Sequence, residues 1–184
     1  MKANSSIAIA LALVGAVASS AAARPRPAGH NKRFESNKTF GLGLELGAPL
    51  GVNGKYFLSE GSSHAIDFGF VAESYYFHAQ YGFNTYVDYL WHPLSFVSAD
   101  AFELPLYFGV GGRFWDFHHD DPANNASSYA FGVRVPVGVS FDFNDIPLDA
   151  FIQAAFVLDL FVDYDVHTIW PDLDISVGAR YWFN

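Results

Sequence analysis

The chain has 184 residues, no cysteine and a net charge of -9, which allows about one domain after a leader and leaves no disulfide framework to consider. The acidic balance argues against a nucleic-acid partner. Only 16% of the residues are charged while 18% are aromatic, which is sparse charge for a surface dissolved in water.

Met1 and Lys2 make a basic start, Ile7 to Val17 an apolar stretch, and Ala21, Ala22 and Ala23 a small-residue cleavage site. Residues 1–23 therefore read as a secretory signal peptide, with the mature chain starting at Arg24. No later segment offers an apolar run of helix length, so any membrane crossing has to be made by strands. Residues 24–39, with Pro25, Pro27, Gly29, Lys32, Arg33 and Lys38, lack apolar periodicity and are expected to form a flexible periplasmic N-terminal arm.

From residue 40 to 184 the period is two, the period of strands. Phe40, Leu42, Leu44 and Leu46 oppose Gly41, Gly43, Glu45 and Gly47; Val52, Tyr56 and Leu58 oppose Asn53 and Lys55. Ile66, Phe68, Phe70 and Ala72 follow against Asp67, Gly69 and Glu73, then Tyr81, Phe83, Val87, Tyr89 and Trp91 against Gly82, Asn84 and Asp88. The fifth segment sets Leu104, Leu106, Phe108, Val110 and Phe114 against Glu103, Tyr107, Gly109, Gly111 and Arg113. The sixth is the most regular, with Phe131, Val133, Val135, Val137, Val139, Phe141 and Phe143 against Gly132, Arg134, Pro136, Gly138, Ser140 and Asp142. The seventh and eighth place Asp149, Gln153 and Asp159, then Asp174, Ser176, Gly178, Arg180 and Trp182, opposite an apolar parity. Eight such segments predict an all-β fold, an eight-stranded antiparallel up-and-down transmembrane β-barrel.

A soluble lipocalin-like barrel has the same period turned inside out. That orientation would leave the outside to a glycine-rich parity with Lys55 as its one lysine, a poorly solvated surface, so the apolar parity is assigned to lipid. Short links at Glu60–Ser63 and Asn144–Asp145 fall on the expected periplasmic side, and longer ones, Phe117–Ser128 and Val162–Asp172, on the outer side. The link after Trp91, containing Pro93 and running to Ala101, is long for a periplasmic turn. Trp91, Trp115, Trp170 and Trp182 lie near segment ends, where an interfacial aromatic belt would place them.

The inward parity carries the chemistry. Arg113, Arg134 and Arg180 share it with Glu45, Asp67, Glu73, Asp88, Asp142 and Asp159, which predicts a lumen network of arginine–carboxylate pairs. Such a network plugs and stiffens the barrel; a gated ion path is the alternative. The run Asp116, His118, His119, Asp120, Asp121 holds possible cation ligands, yet neighbouring ligands on one loop define no geometry and are read as a solvated surface. His64, His78 and His92 with Ser74, Thr85 and Ser95 are the residue types a hydrolytic enzyme would need, but no nucleophile motif surrounds them. No catalytic, cofactor-binding or metal site is expected.

Ser176, Gly178, Tyr181 and Phe183 have polar-x-Gly-x-x-aromatic-x-aromatic spacing, which resembles the insertion signal read by barrel-assembly machinery, although Asn184 follows the last aromatic. With Tyr89–His92, Leu104–Arg113, Gly132–Gly138, Pro147–Asp149 and Gly178–Phe183, the chain from about Gly41 to Phe183 resembles small bacterial outer-membrane β-barrel proteins of the OmpA/OmpX-like size class. The resemblance implies an outer-membrane location, outer-membrane lipid and lipopolysaccharide as surroundings, and barrel-assembly machinery as a partner during insertion. It implies no reaction. The expectation is a monomeric, non-enzymatic envelope component, with a narrow channel, a surface ligand-binding protein or a lipid A-modifying enzyme as the competing readings.

Overall fold

The computed structural model describes residues 29–74, 81–118, 127–162 and 167–183. The leader and the first residues of the arm lie outside the described residues, as do His78, His119, Asp120 and Asp121. A short strand β1 (Gly29–Lys32) is followed by eight longer ones: β2 (Phe40–Gly47), β3 (Gly51–Phe57), β4 (His64–Ser74), β5 (Tyr81–Ser98), β6 (Phe102–His118), β7 (Ser127–Phe143), β8 (Leu148–Val162) and β9 (His167–Trp182). Each of β2 to β9 pairs antiparallel with its chain neighbour, and β9 closes on β2.

Register fixes the shape of the barrel. A walk across the strands from Glu103 through Asp142, Asp149, Arg180, Gly43, Asn53, Gly69 and Tyr86 returns to β6 at Arg113, ten residues further along. For eight strands this stagger corresponds to a tilt of about 40°, and to a lumen just wide enough for side chains to fill. Closure leaves no free sheet edge where all eight strands overlap.

The parity read from the sequence holds through the barrel. Leu44, Phe70, Val87, Val110, Val133, Phe156 and Ile175 are about half exposed on the outside, while Glu45, Asp67, Asp88, Arg113, Arg134, Asp159 and Arg180 are buried inside. An apolar surface that runs around every strand far exceeds what a water-soluble monomer exposes, and fits hydrocarbon.

Several expectations are corrected. The arm is not a free tail over its described part: β1 pairs with Ser95–Ser98 on the length of β5 that extends past β4, and Phe34, Ser36 and Lys38 are buried. Its apolar content was too small to show a period, but Phe34 joins Phe57, Tyr107 and Trp182 in filling one mouth of the barrel. The long link after Trp91 is strand. Register shifts at Trp91/Leu94 and Ser95/Ser98 absorb Pro93, which has no N–H for a regular ladder, and only residues 99–101 separate β5 from β6. The outer connections shrink to residues 119–126 and 163–166 because β6 to β9 run beyond the apolar segments. Trp115 and Trp182 belong to no belt, since they share the inward parity of Arg113 and Arg180 and are buried.

The β2–β3 connection is shorter still. Gly47 takes a φ of 123°, where a side chain would be strained and would strike the backbone of β9 at Ile175, and Ala48–Pro49 is cis.

Candidate functional site

The lumen is the place where chemistry-bearing side chains converge, and it is built in layers. Towards the outer end Arg113 binds three carboxylates. Its Nε donates to Asp159 Oδ1 at 2.9 Å and its Nη2 to the other oxygen of the same carboxylate, a bidentate fork; Nη2 also reaches Asp172 at 2.8 Å. Nη1 donates to Asp174 at 2.9 Å, and Asp174 accepts a second bond at 2.5 Å from Arg134 Nη1. Arg134 Nε then donates to Asp88 Oδ2 at 3.2 Å, and its guanidinium lies over the Tyr86 ring at 4.2 Å.

Below this, a chain of bonds crosses the barrel. Ser176 and Tyr86 hydroxyls donate to the two oxygens of Glu45, each at 2.5 Å, and Asn53 Nδ2 donates to the Tyr86 oxygen at 2.7 Å and to Asp67 Oδ1 at 2.6 Å. Arg180 completes it, donating to Asn53 Oδ1 at 3.1 Å and Asp67 Oδ2 at 3.2 Å, while its Nε and Nη2 hold Asp149 bidentately at 3.0 Å each. The Tyr86 ring fits only because Gly69, its cross-strand partner, has no Cβ to meet it. Gly178 makes room in the same way for the Phe151 ring, on which Arg180 stacks at 4.2 Å.

Among the carboxylates that stand directly opposite each other across strands are two pairs, Asp67 with Asp88 and Asp142 with Asp149. Like charges so placed repel. In each pair the members are bound by different cations: Arg180 takes Asp67 and Asp149, Arg134 takes Asp88, and Lys38 takes Asp142.

The end closed by the N-terminal arm is aromatic. Phe34, Phe57 and Tyr107 surround His92 with ring centroids 5.1 to 5.4 Å away. His92 Nδ1 lies 3.1 Å from the Ser63 carbonyl, an acceptor, so Nδ1 bears the proton; Nε2 then accepts from Lys55 Nζ at 3.2 Å. Lys55 stands opposite Asp67 across β3 and β4, yet its ammonium turns to His92 and to the face of Tyr107, 4.3 Å from the ring centre. Residues 33–39 strap this mouth from below, tied by Ser36 N to Ser62 O and by the Lys38 ammonium to Asp142 and to the Phe143 carbonyl at 2.7 Å.

The structure thus brings Glu45, Asp67, Asp88, Arg113, Arg134, Asp142, Asp159 and Arg180 into one lumen, whereas the side chain of Glu73 lies outside the described residues. Two assignments differ from expectation: Glu45 is held by hydroxyls and Asp142 by the lysine of the arm, neither by arginine. Asp149 and Asp174 complete the arginine pairs, and parity alone could have added both. Asn53, Tyr86, Ser176 and His92 gave no charge signal. Of the residue types a hydrolase would use, Thr85 donates to the Gly69 carbonyl and Ser95 to that of Val97, while His64 meets Tyr89 OH at 2.8 Å. Among the described residues no group of three or more His, Asp or Glu is arranged to hold a metal ion. In the insertion-signal positions Ser176 faces inward, and Tyr181 and Phe183 pack edge to face with centroids 5.2 Å apart.

A closed barrel, apolar outside and ion-paired inside, defines the class: an eight-stranded transmembrane β-barrel. No family model matches the chain, and no curated protein matches it in sequence. Two solved structures are similar in outline: a major outer membrane protein from Thermus thermophilus (TM-score 0.42, 15% identity, 78% of this chain and 99% of that one) and Ail, the attachment invasion locus protein of Yersinia pestis (TM-score 0.40, 16% identity, 79% and 97%).

Proposed function

We propose that this protein is a non-conducting, non-enzymatic barrel of a bacterial outer membrane, exported by a cleaved leader, with a structural role in the envelope. The observation that carries the reading is that Arg134, Arg180, Lys55, His92 and Glu45 have almost no accessible surface although they line the lumen. A water-filled path would wet them. Charges packed this way are held by partners rather than by solvent, and breaking such a pair is costly. Outer-membrane lipid and lipopolysaccharide are the surroundings this reading implies, with barrel-assembly machinery acting through the β9 signal.

Reconstitution in planar bilayers tests the plug. The expected record matches protein-free bilayers, and discrete conductance steps would overturn it. Membrane insertion is tested by arginine on the outward parity, measured by reversible unfolding from vesicles. Val135→Arg, in the middle of the apolar band, is expected to cost about 2–4 kcal/mol, and Tyr129→Arg near the rim about 0–1 kcal/mol. Equal small costs at both sites would contradict a lipid-facing band. Mass spectrometry of lipid A from cells with and without the protein is expected to show identical acylation, and a reproducible acyl difference would replace this reading with an enzymatic one.

A further inference from the structure

The arm and His92 are held by the same short link between β3 and β4. Ser62 O accepts from Ser36 N at 3.3 Å and Gly61 N donates to Ser36 O at 2.9 Å, which ties the arm down. The next carbonyl, that of Ser63, accepts from His92 N at 2.7 Å and lies 3.1 Å from His92 Nδ1. Phe34 lies over the imidazole with ring centroids 5.2 Å apart, and both side chains are buried. The arm is therefore the cover of a closed histidine site, and its departure would bring water to the ring.

While the arm is docked, that imidazole has no place for a second proton. Nδ1 already donates to Ser63, and Nε2 faces the Lys55 ammonium at 3.2 Å, so a proton on Nε2 would set two cations against each other. The other charges around this mouth are engaged away from the ring. Asp67 on β4 is held by Asn53 and Arg180, Asp149 on β8 by Arg180 of β9, and Asp142 on β7, which faces Glu103 of β6, by Lys38 of the arm. Tyr107 on β6 and Phe57 on β3 present ring faces, and His64 of β4 turns to Tyr89.

We infer that His92 is an acid-operated latch for the N-terminal arm: a proton taken up by its imidazole releases residues 29–39 from the mouth, while the barrel itself stays closed. The ring is neutral under the docked arm and free to protonate once water reaches it. Docking is therefore favoured above histidine's ordinary range, near about pH 6.5, and is lost as the pH falls below it. One proton is gained per release, so each further pH unit weakens docking about tenfold. Carboxylates ordinarily titrate near about pH 4, which leaves the Lys38–Asp142 tie intact through the upper part of this window. The ladders that close β2 to β9 do not include the arm, so they survive its departure.

The chain has no cysteine, so the thiol of Ser36→Cys, a buried arm position, reports release through its reaction with a thiol reagent. The rate is measured on the refolded barrel in detergent, relative to the denatured chain at the same pH. Protection is expected to fall about tenfold per pH unit between about pH 6 and about pH 4.5, and to stay level over that range once His92→Phe is added. A slope that survives His92→Phe, or level protection with His92 in place, overturns the latch. The thiol of Ser140→Cys, at a buried position of β7, is expected to be far better protected throughout. Equal protection at the two positions would mean that the arm leaves only when the whole fold opens, and would overturn it too. Should His92→Phe fail to refold, nitrogen-15 NMR follows the imidazole itself: Phe34→Ala, which lifts the cover, is expected to let His92 protonate about one pH unit higher or more, and the same midpoint with and without Phe34 overturns the proposal.

Discussion

The two ends of the lumen solve the same problem with different chemistry. At the outer end one guanidinium, Arg113, gathers three carboxylates, and its neighbour Arg134 shares one of them. At the arm end Lys55 meets an imidazole and aromatic faces, and the barrel is closed by a ring from the arm, Phe34. The fork geometry of arginine satisfies several acceptors at once, so a cluster of acids on facing strands can be neutralised with few cations. Rings fill volume without needing partners. The comparison teaches that the outer end depends on each charge keeping its counter-charge, and the arm end, apart from the Lys38–Asp142 pair, on space being filled.

The largest expected effect comes from removing the cation that links the two ends. Arg180→Met leaves Asp149 and Asp67 buried without their guanidinium, and loss of one partner from such a pair costs about 3–5 kcal/mol. Unfolding midpoints in vesicles measure this, and a loss under about 1 kcal/mol would mean that water reaches the carboxylates. Phe34→Ala follows at about 3 kcal/mol, the low end of the cost of emptying a buried ring site. The same variant is expected to stay silent in planar bilayers, because Arg134 and Arg180 still fill the lumen above the strap. Conductance after Phe34→Ala would show that the strap alone makes the seal. Tyr86→Phe deletes the donor to Glu45 while keeping the ring under Arg134, and is expected to cost about 1.5–3 kcal/mol, the range for a lost hydrogen bond to a charged group.

The strands and their faces were legible in the sequence because burial alternates strictly along a strand with one side in lipid. β7 shows this from Tyr129 to Phe143. The ion-pair partners were not legible, for a geometric reason. Which acid meets which arginine depends on the ten-residue stagger, and alternation is the same for any stagger. Arg113 therefore reaches Asp174, on β9 rather than on a neighbouring strand, and Asp142 is met by Lys38, from a segment with no period at all. Pro93 misled for a local reason, since it marks a bulge within β5 rather than the end of the strand.

The smallest effect has the opposite sign. Lys55 is buried with an imidazole as its hydrogen-bond partner at 3.2 Å, although Asp67 stands opposite it in the ladder and is already held by Asn53 and Arg180. Burying an ammonium has a desolvation cost that a neutral acceptor and ring faces offset only in part. Lys55→Met keeps the length and apolar stem of the side chain and removes the charge, leaving His92 still bound through Nδ1 to the Ser63 carbonyl. The variant is therefore expected to match or exceed the parent in stability, by about 0–1 kcal/mol, where the formally similar Arg180→Met fails. A loss of several kcal/mol from Lys55→Met would show instead that its charge is needed by Asp67 across the strand, and that both ends of the lumen run on ion pairs.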